Sequence, residues 1–376
     1  ISRLGHEVNA GLAFLILAVL FFLQSRTKQK RIYLSAIFFG LSLMSYQAEK
    51  VFLPIFLLGL FFLFRKEVLA MKGKIFIALL ISFIILLPYI KETFSPEALI
   101  RFSEGTSVFR PEAHWERLHR QEELLMHSLE TNDILGKIIY TKKFFALRIF
   151  IEEYTAHFKP KWLFTNSSSE PHKTPGTGLL YLFEAPLILI GIIVLLFQQN
   201  FDPRIRKFIF FWFLLAPLPA SLTTDAPHAM RSYNFLPTWQ IFAALGFVYV
   251  FKKLGRFGKL FLPAFLGLIL LTLASFYRNY FIVFPREQSD SFQYTFSKAI
   301  PYVLKNESKY NAIIFSNERN LYQSYMFFLY YSQYNPLVYL QQGGTISGGF
   351  TKTHAFGKYE FRPIDWGSEG KEKGTL

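Results

Sequence analysis

Apolar residues in this chain gather into eight long runs, with the polar residues held in the intervals between them. The runs cover residues 8–24, 32–47, 51–64, 75–90, 179–197, 208–222, 235–251 and 260–277. At 1.5 Å of rise per residue each comes near the about 30 Å of a bilayer's hydrocarbon core, so the pattern predicts eight membrane-spanning helices. The run 51–64 is the short one, expected to tilt less or to be extended by its flanks.

Two stretches break the pattern. Within 91–178, residues 142–164 mix Phe, Ile and Leu with Lys, Arg and Glu at near-helical spacing. That suits a helix lying in the membrane interface, with Trp162 and Tyr154 at headgroup level, and equally a packed helix of an external domain. The run N-S-S-S-E-P-H-K-T-P-G-T-G that follows is rich in turn formers. Beyond residue 277 the pattern predicts an amphipathic helix over 291–305, a buried strand over 311–315, an aromatic helix over 321–332 and a second strand over 359–364. Gly343, Gly344, Gly348 and Gly349 do not match a phosphate-binding fingerprint, which requires a strand, a fixed spacing and a following helix.

The expected fold class is therefore an all-α polytopic membrane bundle with a small C-terminal α/β domain outside the membrane. Its parts are 1–90 (four spans), 91–178 (outer-face segment), 179–277 (four spans) and 278–376 (the α/β domain).

Charge orients the spans. Arg26, Lys28, Lys30 and Arg31 follow the first run, and Arg65, Lys66, Lys72 and Lys74 the third. Arg204, Arg206 and Lys207 follow the fifth, and Lys252, Lys253, Arg256 and Lys259 the seventh. Every second interval is basic, which places those intervals in the cytoplasm and the others, with the C-terminal domain, outside a plasma membrane. The net charge of +15 is explained by these clusters, so nucleic acid is excluded as the expected partner and the lipid bilayer takes its place. With no cysteine among 376 residues, disulfides, thiolate nucleophiles and Cys-ligated zinc are excluded. The opening from Ile1 carries neither a basic n-region nor a cleavage site, and reads as a piece of something longer.

Chemistry is expected at the outer ends of the spans. The interval T-T-D-A-P-H-A-M-R-S-Y-N at 223–234 sets Asp225, His228 and Arg231 within seven residues. Arg3, His6 and Glu7 precede the first run, Glu49 and Lys50 join the second to the third, and His172 and Lys173 precede the fifth. Arg231 offers a planar fork to phosphate oxygens and Lys50 a compact charge, as a lipid phosphate would need. Ordinary snorkelling to bilayer phosphates is the plainer use of both. Glu7, Asp225 and Glu184 are the candidate carboxylates for deprotonating an acceptor, with Glu49 behind them. His6, His172 and His228 lack a metal-ligand spacing. The sequons at Asn166 and Asn306 are weak signals.

Several stretches, in order along most of the chain, resemble one family. They are R-L-G-H-E-V-N-A-G-L-A-F from Arg3, G-L-S-L-M-S-Y-Q-A-E-K-V-F-L-P from Gly40 and H-F-K-P-K-W-L-F from His157. P-H-K-T-P-G-T-G-L-L-Y-L-F-E-A-P from Pro171, D-A-P-H-A-M-R-S-Y from Asp225 and F-G-K-Y-E-F-R-P-I-D-W from Phe356 complete the set. Together they resemble bacterial membrane glycosyltransferases similar to dolichyl-phosphate-mannose protein mannosyltransferases and the aminoarabinose lipid A transferase.

The resemblance implies a GT-C membrane bundle in the cell envelope and an inverting transfer from a polyprenyl-phosphate sugar to a protein, lipid or glycan acceptor. No cofactor is implied with certainty, and a divalent metal is left open. It also implies a principal catalytic Asp in a first outer loop, expected upstream of Ile1, so that this chain by itself is expected to be inactive. Lys50, His228, Arg231, Arg3 and His172 are the expected donor-binding residues, and Gln47 stands where a His is common in the family. A transporter or flippase of lipid-linked sugars is the alternative, and it would need polar groups along a path to the inner face. A membrane anchor for the C-terminal domain would leave Asp225, His228 and Arg231 idle.

Overall fold

The computed structural model describes residues 6–93, 114–165, 176–198, 201–223, 226–318, 323–345, 353–365, 367 and 375. The chain divides into two compact units, Ile1–Tyr280 and Phe281–Leu376. All eight apolar runs fold as helix, and together with the three-stranded sheet of the second unit they give the helical bundle plus small α/β domain that the pattern predicts.

The first unit begins with α1 (Val8–Ser25), α2 (Arg31–Ser45), α3 (Glu49–Leu63), the short α4 (Arg65–Ala70) and α5 (Lys72–Thr93). Ser35 and Ser42 lie two turns apart on one face of α2. They donate to the carbonyls of Ala18 at 2.8 Å and Gly11 at 3.0 Å, themselves two turns apart on α1, which fixes an antiparallel pair. Ser82 Oγ of α5 does the same to Ala36 O on the other side of α2, at 2.9 Å.

Next come α6 (Trp115–Glu130), α7 (Ile134–Ile139) and α8 (Lys142–Ala156), then a π-helical turn (Lys161–Thr165). Next are α9 (Glu184–Phe197), α10 (Pro203–Leu215), α11 (Leu218–Ser221), a 3₁₀ turn (Tyr233–Phe235), α12 (Leu236–Leu254) and α13 (Gly258–Arg278).

Helices α9 and α12 touch backbone to backbone. A Cβ added to Gly191 would sit 1.8 Å from Phe242 O, and one added to Gly246 would sit 1.9 Å from Leu187 O. Only glycine fits at either place.

Helices α12 and α13 belong to one apolar helical run, Tyr233–Glu287, that is reversed in the middle. Gly255 takes φ 52°, a left-handed conformation that costs a glycine nothing sterically. The Phe247 and Phe265 rings then meet with centroids 4.7 Å apart, although 18 residues of straight helix would separate them by about 27 Å. The two helices form a hairpin.

The helices Val8–Ser25, Lys72–Ile90 and the run Tyr233–Glu287 are long and apolar enough to cross a membrane, while Arg31–Ser45 and Glu184–Phe197 are apolar but shorter. Much of their outer surface is apolar: Phe76 is 71% exposed and Leu271 71%, and α13 buries only Gly258 along its length. A water-facing helix would carry polar residues there.

The two ends of this unit differ in chemistry. At one end the basic intervals converge. Arg26 lies 3.7 Å from Glu67 and 3.8 Å from Asp202, Arg204 pairs with both carboxylates, and the Arg26 and Arg204 guanidiniums flank the Phe64 ring. Asp202 also caps α10 by accepting from Arg204 N at 2.8 Å. The opposite end holds the turn between α2 and α3, the start of α1 and the interval before α12.

Between α5 and α9, helix α8 buries Phe145 and Ile149, while Phe144, Leu147 and Ile151 are exposed. Tyr154 donates to Leu214 O at 2.6 Å, tying α8 to α10. Of the two readings of 142–164, Trp162 favours the packed one. It is buried, set edge-on to His157 at 5.3 Å between ring centroids, and forms part of the core in place of a headgroup belt.

The second unit contains α14 (Phe284–Glu287), α15 (Phe296–Asn306), β1 (Ile313–Ser316), α16 (Ser324–Tyr331), α17 (Pro336–Gln341), β2 (His354–Phe356) and β3 (Tyr359–Arg362). The sheet order is β1-β3-β2, with β3 parallel to β1 and antiparallel to β2. Phe328, Ile300 and Phe361 are its fully buried centre. Strand β2 and helix α17 are additions to the elements read from sequence. The Gly348 and Gly349 part of the glycine stretch lies outside the described residues.

Candidate functional site

The interval 223–234 is tied down along its length. At its start, Thr223 N donates to Ala220 O at 3.0 Å, and Thr223 Oγ1 accepts from Arg231 Nη1 at 2.8 Å. The Ala226–Pro227 bond is cis. Ser232 closes a helical turn on His228 O through both its N–H, at 3.2 Å, and its hydroxyl, at 2.8 Å.

Its middle is held by α8. His157, fully buried, places Nδ1 2.9 Å from Glu153 O, which can only accept, so Nδ1 carries the proton. Nε2 is then a lone pair, and it accepts from His228 N at 3.2 Å. His228 Nδ1 in turn accepts from Arg231 N at 3.4 Å, which leaves the proton of a neutral ring on Nε2.

Its last residues reach three helices. Tyr233 Oη donates to Asn9 Oδ1 at 3.0 Å on α1, and Asn234 Nδ2 donates to Glu49 Oε1 at 2.8 Å on α3. Asn234 O accepts from Trp212 Nε1 at 2.8 Å on α10. The interval is therefore a knot at which the bundle's helices meet.

Tyr46, in the turn ahead of α3, lies between the charged groups. Burial raises its phenol, the Arg231 charge opposes that, and Glu7 and Glu49 add to the rise. One aromatic hydroxyl thus stands within electrostatic reach of Arg231, Glu7 and Glu49 together. His6 packs edge-on to the same ring at 5.4 Å, and its Nδ1 lies 3.3 Å from the exposed Glu7 carboxylate.

Of the residues expected from sequence, His228 and Arg231 are brought together, while Glu7 lies against His6. Lys50 faces another way: its ammonium lies 4.9 Å above the Tyr89 ring of α5. Glu49 and Lys50 are successive on α3 and so point about 100° apart. Glu184 accepts from Tyr181 N at 2.8 Å, where it caps the start of α9. Arg3, His172, Lys173, Asp225 and Asn166 lie outside the described residues.

The residues that sequence reading passed over are His157, Asn234, Tyr46 and Asn9. His157 stood in a quoted motif without a role. Glu49, ranked behind the other carboxylates, is more deeply buried than Glu7 or Glu184, at 2% exposure. Among the described residues no group of three or more His, Asp or Glu side chains could hold a metal ion. No family model, characterised protein or solved structure matches the chain.

Proposed function

We propose that this protein is an integral membrane glycosyltransferase whose polar end binds the phosphate of a polyprenyl-phosphate sugar. The observation that carries the reading is Arg231. Its guanidinium is held by Thr223 and its backbone by His228, at one end of an apolar helical bundle. A fixed guanidinium is a ready fork for two phosphate oxygens, and the apolar bundle surface suits the lipid tail.

In this reading all eight apolar helices span the plasma membrane. The Arg26–Glu67–Asp202–Arg204 end faces the cytoplasm, and the Arg231 end faces out with the C-terminal unit. The sequence resemblance supports the same class, with a protein, lipid or glycan acceptor. The reading assigns binding and leaves the catalytic base unassigned. A flippase or transporter fits less well. Among the described residues the buried ionisable side chains are Glu49 and His157, both at the Arg231 end, and none forms a path to the other end.

The test is binding of a polyprenyl-phosphate analogue to the chain in lipid nanodiscs. Arg231→Ala should weaken it by at least about 1 kcal/mol, the scale of a charge-assisted contact, and Lys50→Ala should weaken it if the ammonium leaves Tyr89 for the phosphate. Binding unchanged in Arg231→Ala overturns the assignment.

A further inference from the structure

Phosphate binding leaves Glu49 without a role, and its surroundings are not those of a charged carboxylate. Glu49 is 2% exposed and Asn234 5%. Asn234 Nδ2 donates to Glu49 Oε1 at 2.8 Å, while Glu49 Oε2 and Asn234 Oδ1 are buried with no hydrogen-bond partner among the described residues. An ionised carboxylate can only accept, and so can an amide oxygen, so with Glu49 charged neither atom satisfies the other. A buried charge also needs an opposite charge to offset its lost hydration.

The groups packed around Glu49 form no ion pair with it. On its own helix, Lys50 places its ammonium 4.9 Å above the Tyr89 ring. On α1 the neighbour is Gly11, where an added Cβ would lie 3.7 Å from Oε1. Asn9 of α1 is engaged by Tyr233, and Glu7, of the same charge as Glu49, lies against His6. The turn ahead of α3 contributes Ser45, whose hydroxyl donates to Leu41 O at 2.7 Å, and the Tyr46 phenol. From the interval before α12, Arg231 donates to Thr223.

We propose that Glu49 is held as a neutral carboxylic acid, its Oε2 proton shared with Asn234 Oδ1, and that this acid–amide pair is a proton-dependent clasp on the interval carrying Arg231. One proton completes both unmatched atoms, because the Asn234 amide then donates to one carboxyl oxygen and accepts from the other. Asn234 O also takes the Trp212 N–H at 2.8 Å, and Tyr233 reaches Asn9, so the clasp ties α3 to the place where α1 and α10 meet the interval. Ionisation sets a negative charge against the amide oxygen and opens the clasp. The folded chain then holds a proton that the unfolded chain releases. Stability therefore falls as pH rises from the ordinary carboxyl range until Glu49 itself ionises. The consequence for ligand rests on the phosphate reading above: binding at Arg231 weakens over the same range.

Glu49→Gln is the discriminating variant, because its amide donates to Asn234 Oδ1 and accepts from Asn234 Nδ2 with no proton to lose. Infrared spectra of the full chain in nanodiscs at about pH 6 should show a carboxylic-acid C=O band, above the ordinary carboxyl range. The band should shift in D2O, be missing from Glu49→Gln, and vanish from the wild type at alkaline pH. The wild-type melting temperature should fall between about pH 5 and about pH 9 relative to Glu49→Gln, which should be the more stable by at least about 2 °C at the upper end. Polyprenyl phosphate binding should weaken over that range about threefold or more in the wild type relative to the variant, the size of one hydrogen bond. Absence of the band at about pH 6, or parallel melting curves for the two proteins, overturns the proposal, as when a resident water donates to an ionised Glu49. Binding with the same pH dependence in both proteins overturns the clasp's control of the site. If polyprenyl phosphate binds at no pH while the band and the melting difference are present, only the phosphate assignment falls.

Discussion

His157 Nε2 accepts the backbone N–H of His228 across 71 residues of sequence, at 3.2 Å. Through that bond α8 sets the position of the interval carrying Arg231. Replacing His157 by Phe keeps a ring against Trp162 but removes the acceptor of a half-buried N–H, a cost of about 1 kcal/mol. Hydrogen exchange should quicken at residues 228–232, and polyprenyl-phosphate binding should fall although His157 touches no ligand in the proposed arrangement. Exchange at the wild-type rate there would show that α8 does not hold the interval.

The contact of α9 with α12 gives a sharper expectation. Gly191→Ala and Gly246→Ala each put a carbon within 2 Å of a carbonyl oxygen unless the helices part. Each should destabilise the first unit by about 2 kcal/mol or more, the upper range of overpacking. Gly73 and Gly267, which have nothing within 4 Å of an added Cβ, provide controls and should accept Ala without loss. Thermal unfolding in a fixed detergent checks all four.

The charged end has a definite acid response. Burial pushes the Glu67 carboxyl up, but its own backbone N–H and Arg204 donate to it, and with the Arg204 and Arg26 charges the balance holds it below its ordinary 4.5. Asp202 is lowered from its ordinary 3.8, first by the Arg204 N–H and then by the Arg204 side chain. For a carboxyl lowered in the folded state, the stabilisation is complete above the ordinary value and disappears as pH falls through the lowered one. Glu67→Gln should therefore lower the melting temperature at pH 7 and make little difference once pH is below both values. A difference that persists at low pH would mean that the pairing is not electrostatic.

In the second unit Phe328 is fully buried and touches the rings of Phe315, Tyr359 and Phe361. Phe328→Ala should remove about 3–5 kcal/mol, as large-to-small core changes do. Proteolysis should then begin within 313–362. Unaltered resistance there would place the stability of this unit elsewhere than in that cluster.

The helices were legible because long apolar runs leave few other folds, and the reversal at Gly255 because four basic residues separate the runs on either side. The polar knot was legible only in part. Local spacing showed His228 and Arg231 as neighbours, but the bond of Asn234 to Glu49 joins positions 185 apart, and no periodicity records it. Asn234 follows a run of more conspicuous charged residues and has no charge of its own to mark it. For Trp162 the sequence left an interfacial belt and a packed helix equally open, because an aromatic among lysines suits either, and its burial against His157 beside the π-helical turn decides for packing. Strand β2 is three residues long and forms only because β3 is there to receive it.

The glycine contact between α9 and α12 also decides where a long ligand cannot go. With carbonyl and Cα of facing helices in touch at Gly191 and Gly246, that seam has no width for an isoprenoid chain. In the proposed function, a polyprenyl tail whose phosphate rests at Arg231 would therefore lie along some groove other than this seam.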